Sequence, residues 1–288
     1  MLTALPSRII ATIQCPDQPG LVAAIASTIH HLGGNIIDSD HHTDSDANWF
    51  VMRVESVFQN SAHIPVALRA AMDLLADQYQ MTVNVHTTAE RPRVAILVSK
   101  LDHCLVDLLQ RQRRDELPMD ISFIVSNHEL CGRWADMFGI PYHRYPTTPD
   151  MKADQERQVI AVLLDHKVDF VILARYMQIL SADFLKQIGC PVINIHHSFL
   201  PAFIGANPYR QAYARGVKVI GATAHYATAE LDEGPIIAQA TARVTHRDTV
   251  LDLTRIGRDL EQQVLAQAVR LHLERRVLVY TNKTIVFD

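Results

Sequence analysis

In the stretch Val192-Ile-Asn-Ile-His-His-Ser-Phe-Leu-Pro201, an amide and two imidazoles sit where a run of apolar residues stops. Strand alternation sends Asn194 and His196 to the same side. An amide that donates to an oxyanion, beside an imidazole that moves a proton, suits acyl chemistry. The segment also reads as a capped strand end with satisfied polar groups. A second stretch, Gly221-Ala-Thr-Ala-His-Tyr226, carries Thr223 and His225 on one side of another strand. Asp232 follows in Leu231-Asp-Glu-Gly-Pro-Ile-Ile237, on a turn marked by Gly234-Pro235. A carboxylate there would orient an imidazole or a water; in a purely structural role it would shape the turn. The expectation is an amide, an imidazole and a carboxylate on the carboxyl side of neighbouring strands.

Ala174-Arg-Tyr-Met-Gln-Ile-Leu180 follows the apolar run Phe170–Leu173. Such a loop lines a slot for a flat heteroaromatic ligand, or else packs Met177, Ile179 and Leu180 into the core. Metal binding by His196-His197 is not expected. Adjacent residues on an extended chain point apart, and no Cys/His/Glu set at ligand spacing accompanies them. His41-His42 reads as a surface strand, and Cys104 and Cys131 as structural thiols.

These residues need a scaffold. The first half predicts a strand at 8–14, a proline- and glycine-bearing turn, and an amphipathic helix at 21–32 with apolar residues at Leu21, Ile25, Ile29 and Leu32. Gly33-Gly34 ends that helix. Strands at 35–43 and 49–57, a helix at 65–79 and a strand at 82–87 complete a βαββαβ order, the ferredoxin-like pattern. The second half predicts strands at 94–99, 121–125, 142–145, 170–173, 192–195, 219–226 and 236–243. Helices are expected at 103–114, 130–138, 154–166, 182–187, 209–215 and 249–274. Short apolar strands separated by helices imply a mainly parallel sheet covered on both faces, with ligands beyond the strands' carboxyl ends. Residues 277–280 and 284–287 read as a terminal hairpin. Residues 1–88 hold 3 Lys/Arg against 8 Asp/Glu, and the remainder 24 against 23, which supports domains at 1–88 and 89–288 joined near 88–92.

The 288 residues carry a net charge of −4 and lack a basic tract, which disfavours binding to a nucleic-acid backbone. No apolar stretch approaches the ~20 residues of a membrane span. The start, MLTALPSRII, shows no secretory pattern. Four separated cysteines suit reduced thiols in a cytoplasm. There is no GxGxxG or GxxxxGK[ST], and the first strand of the second half runs into Ser99-Lys-Leu-Asp-His-Cys104 without a glycine. A phosphate cradle needs glycines for close approach, so a dinucleotide or triphosphate is not expected.

The segments Asn-Ile-His-His-Ser-Phe-Leu-Pro, Gly-Ala-Thr-Ala-His-Tyr and Leu-Asp-Glu-Gly-Pro-Ile-Ile resemble the folate-dependent formyltransferase family. The resemblance implies an Asn194–His196–Asp232 catalytic set. It also implies a pterin against Met177, Gln178, Ile179 and Leu180, with His225 in the substrate site. Asp17-Gln-Pro-Gly-Leu-Val22 and Gly33-Gly-Asn-Ile36 resemble an ACT domain. ACT domains bind small amino acids or pair side by side. A glycine or methionine effector near Asp17, Gly20, Leu21, Gly33 and Asn35, and a homo-oligomer, are therefore expected.

The implied fold is an α/β chain: an N-terminal ferredoxin-like ACT domain plus a C-terminal Rossmann-like, mainly parallel formyltransferase-type domain. The fusion, with His-His-Ser where ribonucleotide-formylating members have His-Pro-Ser, is similar to a hydrolytic branch of the family. That implies hydrolysis of 10-formyltetrahydrofolate, with water, to tetrahydrofolate and formate, which supplies purine synthesis and balances one-carbon pools. Ser99–Cys104 stands where those members have a glycine-rich phosphate loop, so an amine acceptor loses its anchor. No metal or redox cofactor is implied, since the folate is the substrate. Three alternatives stand beside this one. They are transfer to an amine such as glycinamide ribonucleotide, formylation of methionyl-transfer-RNA, and a non-catalytic folate or amino-acid sensor. The acidic charge and the lack of a C-terminal nucleic-acid-binding domain weigh against the second.

Overall fold

The computed structural model describes residues 7–59, 63–202 and 207–287; residues 1–6, part of the start read for a secretory pattern, lie outside the described residues. The chain divides into two compact units, 1–90 with 274–278 and 285–288, and 91–273 with 279–284. The chain's end thus returns in part to the first unit, which a cut in sequence order does not express.

The first unit contains β1 (Ser7–Pro16), α1 (Leu21–His31), β2 (Gly34–Asp44), β3 (Trp49–Phe58), α2 (Ile64–Tyr79) and β4 (Thr82–Thr87). Its antiparallel sheet has the order β2-β3-β1-β4. Alternate residues of β1 (Ile9, Ala11, Ile13, Cys15) and of β3 (Phe50, Met52, Val54) form one core with Leu21, Ile25 and Ile29 of α1 and Leu68 and Met72 of α2. Period 2 in the strands and period 3.6 in the helices aim these side chains at one another. On the other alternation of β3, Val51 packs with Leu278 and Phe287. The buried Arg53 there pairs with Asp38 and Glu55 and donates to the Glu274 carbonyl.

The second unit runs β5 (Arg93–Val98), α3 (His103–Arg113), β6 (Asp120–Ser126), α4 (Gly132–Phe138), β7 (Tyr142–Arg144), α5 (Lys152–Asp165), β8 (Phe170–Leu173), α6 (Ala182–Ile188), β9 (Val192–His196), α7 (Pro208–Arg215), β10 (Val219–Tyr226), β11 (Ile236–Arg243) and α8 (Val250–Leu273). The sheet order is β11-β10-β9-β8-β5-β6-β7. From β9 through β7 the pairs are parallel, and Val94–Val98 and Phe170–Leu173 are buried throughout. Such unbroken apolar runs belong to strands covered on both faces. The order reverses between β5 and β8, which opens a crevice beyond their carboxyl ends. β10 and β11 are antiparallel. The end of the chain forms the hairpin β12 (Val277–Tyr280) and β13 (Lys283–Val286). Among the described residues no helix is long and apolar enough to cross a membrane. The four cysteines are free thiols.

Candidate active site

The β9/β10 register sets His196 opposite Thr223 and Asn194 opposite His225. Opposed residues of a ladder share a face, so all four side chains stand on one side of the sheet. This corrects one expectation. Because β10 is antiparallel, its carboxyl end does not lie at the carboxyl edge of the sheet, and His225 stands beside Asn194 within the ladder. Asp232 reaches the same face from the connection after β10. Two local features permit that path. Asp232 itself holds a left-handed φ of 58°. A Cβ on Gly234 would come within 1.8 Å of the Tyr226 carbonyl oxygen, so only glycine fits the close approach.

The contacts define proton positions. Asp232 Oδ1 lies 3.2 Å from His196 Nδ1 and 3.7 Å from His225 Nε2. His225 Nδ1–H donates to the Tyr226 carbonyl at 3.0 Å. In the neutral ring, His225 Nε2 is then free to accept from the Asn194 amide, 3.1 Å away. Burial alone would raise the Asp232 carboxyl. The His196 contact, joined by His225 when its Nε2 also carries a proton, outweighs it and holds the group well below the usual carboxylate range. The ionised carboxylate fixes His196 with its proton on Nδ1. His196 Nε2 is buried and has no hydrogen-bond partner among the described residues. Thr223 serves the backbone instead: its hydroxyl donates to the Ser198 carbonyl and accepts from the Leu200 amide.

Asn194, His196, His225 and Asp232 line a cavity of about 300 Å³, together with Met177, Gln178, Ile179, Leu180 and Leu231. Met177 is 56% exposed and Ile179 57%, so they are not core residues. They form an apolar rim suited to a flat ring. The loop that carries them is held at its backbone. Ser99 N–H donates to the Arg175 carbonyl, and Met177 N–H donates to the Ser99 hydroxyl. Buried Tyr176 beneath is bonded to Gln155.

The chain matches the formyl transferase family model over residues 92–269 and the ACT domain model over residues 9–65. It is 54% identical to a formyltetrahydrofolate deformylase from Synechocystis sp., over 96% of both chains. It is 46% identical to one from Bacillus subtilis, over 96% of this chain and 92% of that one. A crystal structure of a formyltetrahydrofolate deformylase from Pseudomonas syringae superposes with a TM-score of 0.95 at 42% identity, covering 100% of this chain and 96% of that one. The chain belongs to the formyltetrahydrofolate deformylase family. A glycinamide ribonucleotide transformylase from Symbiobacterium toebii is more distant, with a TM-score of 0.66 at 30% identity over 71% of this chain and 98% of that one.

Sequence reasoning left another cluster of this deformylase-family fold unassembled. Glu261 of α8 is 1% exposed. It accepts from His103 Nε2 at 2.7 Å and from the Tyr209 hydroxyl at 2.6 Å, and Arg175 Nε lies 3.4 Å away. Burial alone would raise this carboxyl; His103, Arg175 and Tyr209 together lower it. Gly257, one turn before, makes room, since a Cβ there would meet the Tyr209 hydroxyl at 2.1 Å. That i, i+4 pair was the available signal. His103, Cys104 and Glu261 bring one potential ligand atom each within 4.8 Å of one another. The Arg175 guanidinium beside them sets a positive charge against the Glu261 carboxylate, and burial pushes the Cys104 thiol up.

The effector residues expected in the ACT unit do not converge. Asp17, Gly20 and Leu21 lie at the start of α1; Gly33 and Asn35 follow its end. An eleven-residue helix rises roughly 16 Å, more than one small amino acid spans. Leu21 is moreover 2% exposed and belongs to the core.

Proposed function

We propose that this chain hydrolyses 10-formyltetrahydrofolate to tetrahydrofolate and formate, with Asn194, His196 and Asp232 as the reacting set. One observation carries the reading. A carboxylate-bound imidazole whose Nε2 has no partner among the described residues stands beside an amide in the wall of an apolar-rimmed cavity. The pterin lies against Met177–Leu180 and Leu231. Water held against Asp232 adds to the formyl carbon, and the carboxylate–imidazole pair takes up its proton. The resulting oxyanion accepts from the Asn194 amide and from protonated His196, whose charge Asp232 balances. The carbon–nitrogen bond then breaks as the proton passes to the departing folate nitrogen. Tetrahydrofolate, formate and one proton are the products. No redox step occurs, and the folate is substrate rather than cofactor. The depressed Asp232 carboxyl favours a route through the imidazole over direct, lasting protonation of the carboxylate.

Water is favoured over an amine as acceptor because the loop after β5 spends its groups internally. Ser99 holds the 175–177 backbone and His103 is bonded to Glu261. The product formate would supply purine synthesis. The ACT unit would pair copies of the chain through its exposed edge strand β2 and take a small amino acid at the Asp17–Gly20 turn. The decisive experiment mixes enzyme with 10-formyltetrahydrofolate and no amine, and measures both products. Equimolar formate and tetrahydrofolate are expected, with turnover ~10²–10³-fold lower in Asn194→Ala. Formate release that requires added glycinamide ribonucleotide would assign a transferase.

A further inference from the structure

Arg175 is the group the reaction scheme leaves unused. It is 8% exposed, and its backbone holds a left-handed φ of 63° that side-chain-bearing residues seldom adopt. Its Nε and Nη1 are buried without a hydrogen-bond partner among the described residues. Glu261 balances part of the charge at 3.4 Å, yet gives its short hydrogen bonds to His103 and Tyr209. Leaving buried guanidinium donors unmade is costly, so the position reads as a site with a ligand to receive.

Its surroundings say what kind. Arg175, Met177 and His197 line the substrate cavity and also a second cavity of about 400 Å³. Arg210 and Arg258 line the second cavity too, and both are exposed to solvent. Glu261 is its one acidic lining residue among those described. His197 contributes no charge at neutral pH, because burial and then Arg175 push it down to about 4. The second cavity is therefore net basic, with a planar, underused guanidinium where it meets the site of hydrolysis. A guanidinium fork matches a carboxylate bidentately.

We infer that Arg175 forms a carboxylate subsite that takes the formate product out of the reaction centre into the Arg210/Arg258 cavity. The inference rests on the hydrolytic reading, which supplies the carboxylate. It separates the exit of formate from that of the folate, which occupies the other cavity.

The test is titration of ¹³C-formate into folate-free enzyme, followed by NMR line broadening, with chloride at equal ionic strength as the reference. Saturable formate binding is expected for the wild-type chain and for Asp232→Asn. Arg175→Met should weaken it roughly ten- to hundredfold. Arg175→Lys keeps the charge without the fork and should lose less. Arg258→Gln, an exposed change that leaves the core untouched, should weaken it about two- to fivefold. Equal affinity in wild type, Arg175→Lys and Arg258→Gln overturns the subsite, even if Arg175→Met does not fold. So does the absence of saturable binding, or a chloride response equal to that of formate. Failure of the underlying reading looks different: the wild-type chain would then release no formate from 10-formyltetrahydrofolate, whatever the titration gave.

Discussion

Asp232 and Glu261 are two carboxylates held beside imidazoles in the same unit, and burial alone would raise both. Each is instead lowered by its partners. The difference lies in what those partners leave open. Glu261 sits within α8 at 1% side-chain exposure, with one oxygen bonded to Tyr209 and the other to His103, and with Arg175 Nε 3.4 Å away. Asp232 sits on a loop at 12%, and the imidazole it orients keeps one ring nitrogen without a partner among the described residues, at the wall of a cavity. A carboxylate whose two oxygens are both taken fixes structure. One whose imidazole keeps a free nitrogen at a cavity is poised to accept a substrate.

That contrast is open to breaking. The largest expected effect belongs to Asp232→Asn. The amide cannot balance an imidazolium and favours the wrong tautomer of His196, so kcat should fall about 10⁴-fold by analogy with triad carboxylates. The circular dichroism spectrum should stay that of the wild type. Turnover within tenfold of wild type would place the chemistry elsewhere.

Glu261→Gln should behave in the opposite way. It removes the charge opposite Arg175 and His103 in a buried setting, a loss of about 3–5 kcal/mol for breaking one side of such a pair. Urea denaturation measures it as a lower midpoint with an unchanged slope. If Glu261→Gln were as stable as wild type while Asp232→Asn unfolded, the two roles would be exchanged.

What the residues revealed in advance follows the same division. Each described α-helix and strand was readable to within a few residues, though the short helical turn at Pro149–Met151 was not, and periodicity marks the best of them: Ile9, Ala11, Ile13 and Cys15 alternate, and Leu21, Ile25 and Ile29 recur by turns. The Asn194/His196 pairing followed from alternation in one strand. The position of His225 did not. It depends on the direction of β10, and alternation reads the same in either direction. The Arg175–Glu261 cluster was hidden for a related reason. Its members come from a loop after β8, from α3, from α7 and from α8, so only the assembled fold brings them together. The split effector set fails on length, since motif adjacency in sequence ignored the helix between its halves.

His197 lies between the two networks and gives the smallest effect. Its ring centroid is 5.2 Å from that of His196 and 6.2 Å from that of Tyr209. Burial, then the Arg175 charge, pushes its pKa down to about 4, with Glu261 and Asp232 opposing. A histidine lowered on folding binds its proton less readily in the folded chain than in the unfolded one. Stability is therefore complete above the unfolded value of about 6.5 and falls as the pH drops from there towards 4. The share of His197 is at most about 3 kcal/mol over that window. His86 in the ACT unit is pushed down to about 4 as well, chiefly by burial. His197→Gln should therefore reduce the acid slope of the melting temperature without abolishing it. A slope equal to that of wild type would mean that His197 takes up its proton equally in the folded and unfolded chain, and so adds a second positive charge beside Arg175 only below about pH 6.5.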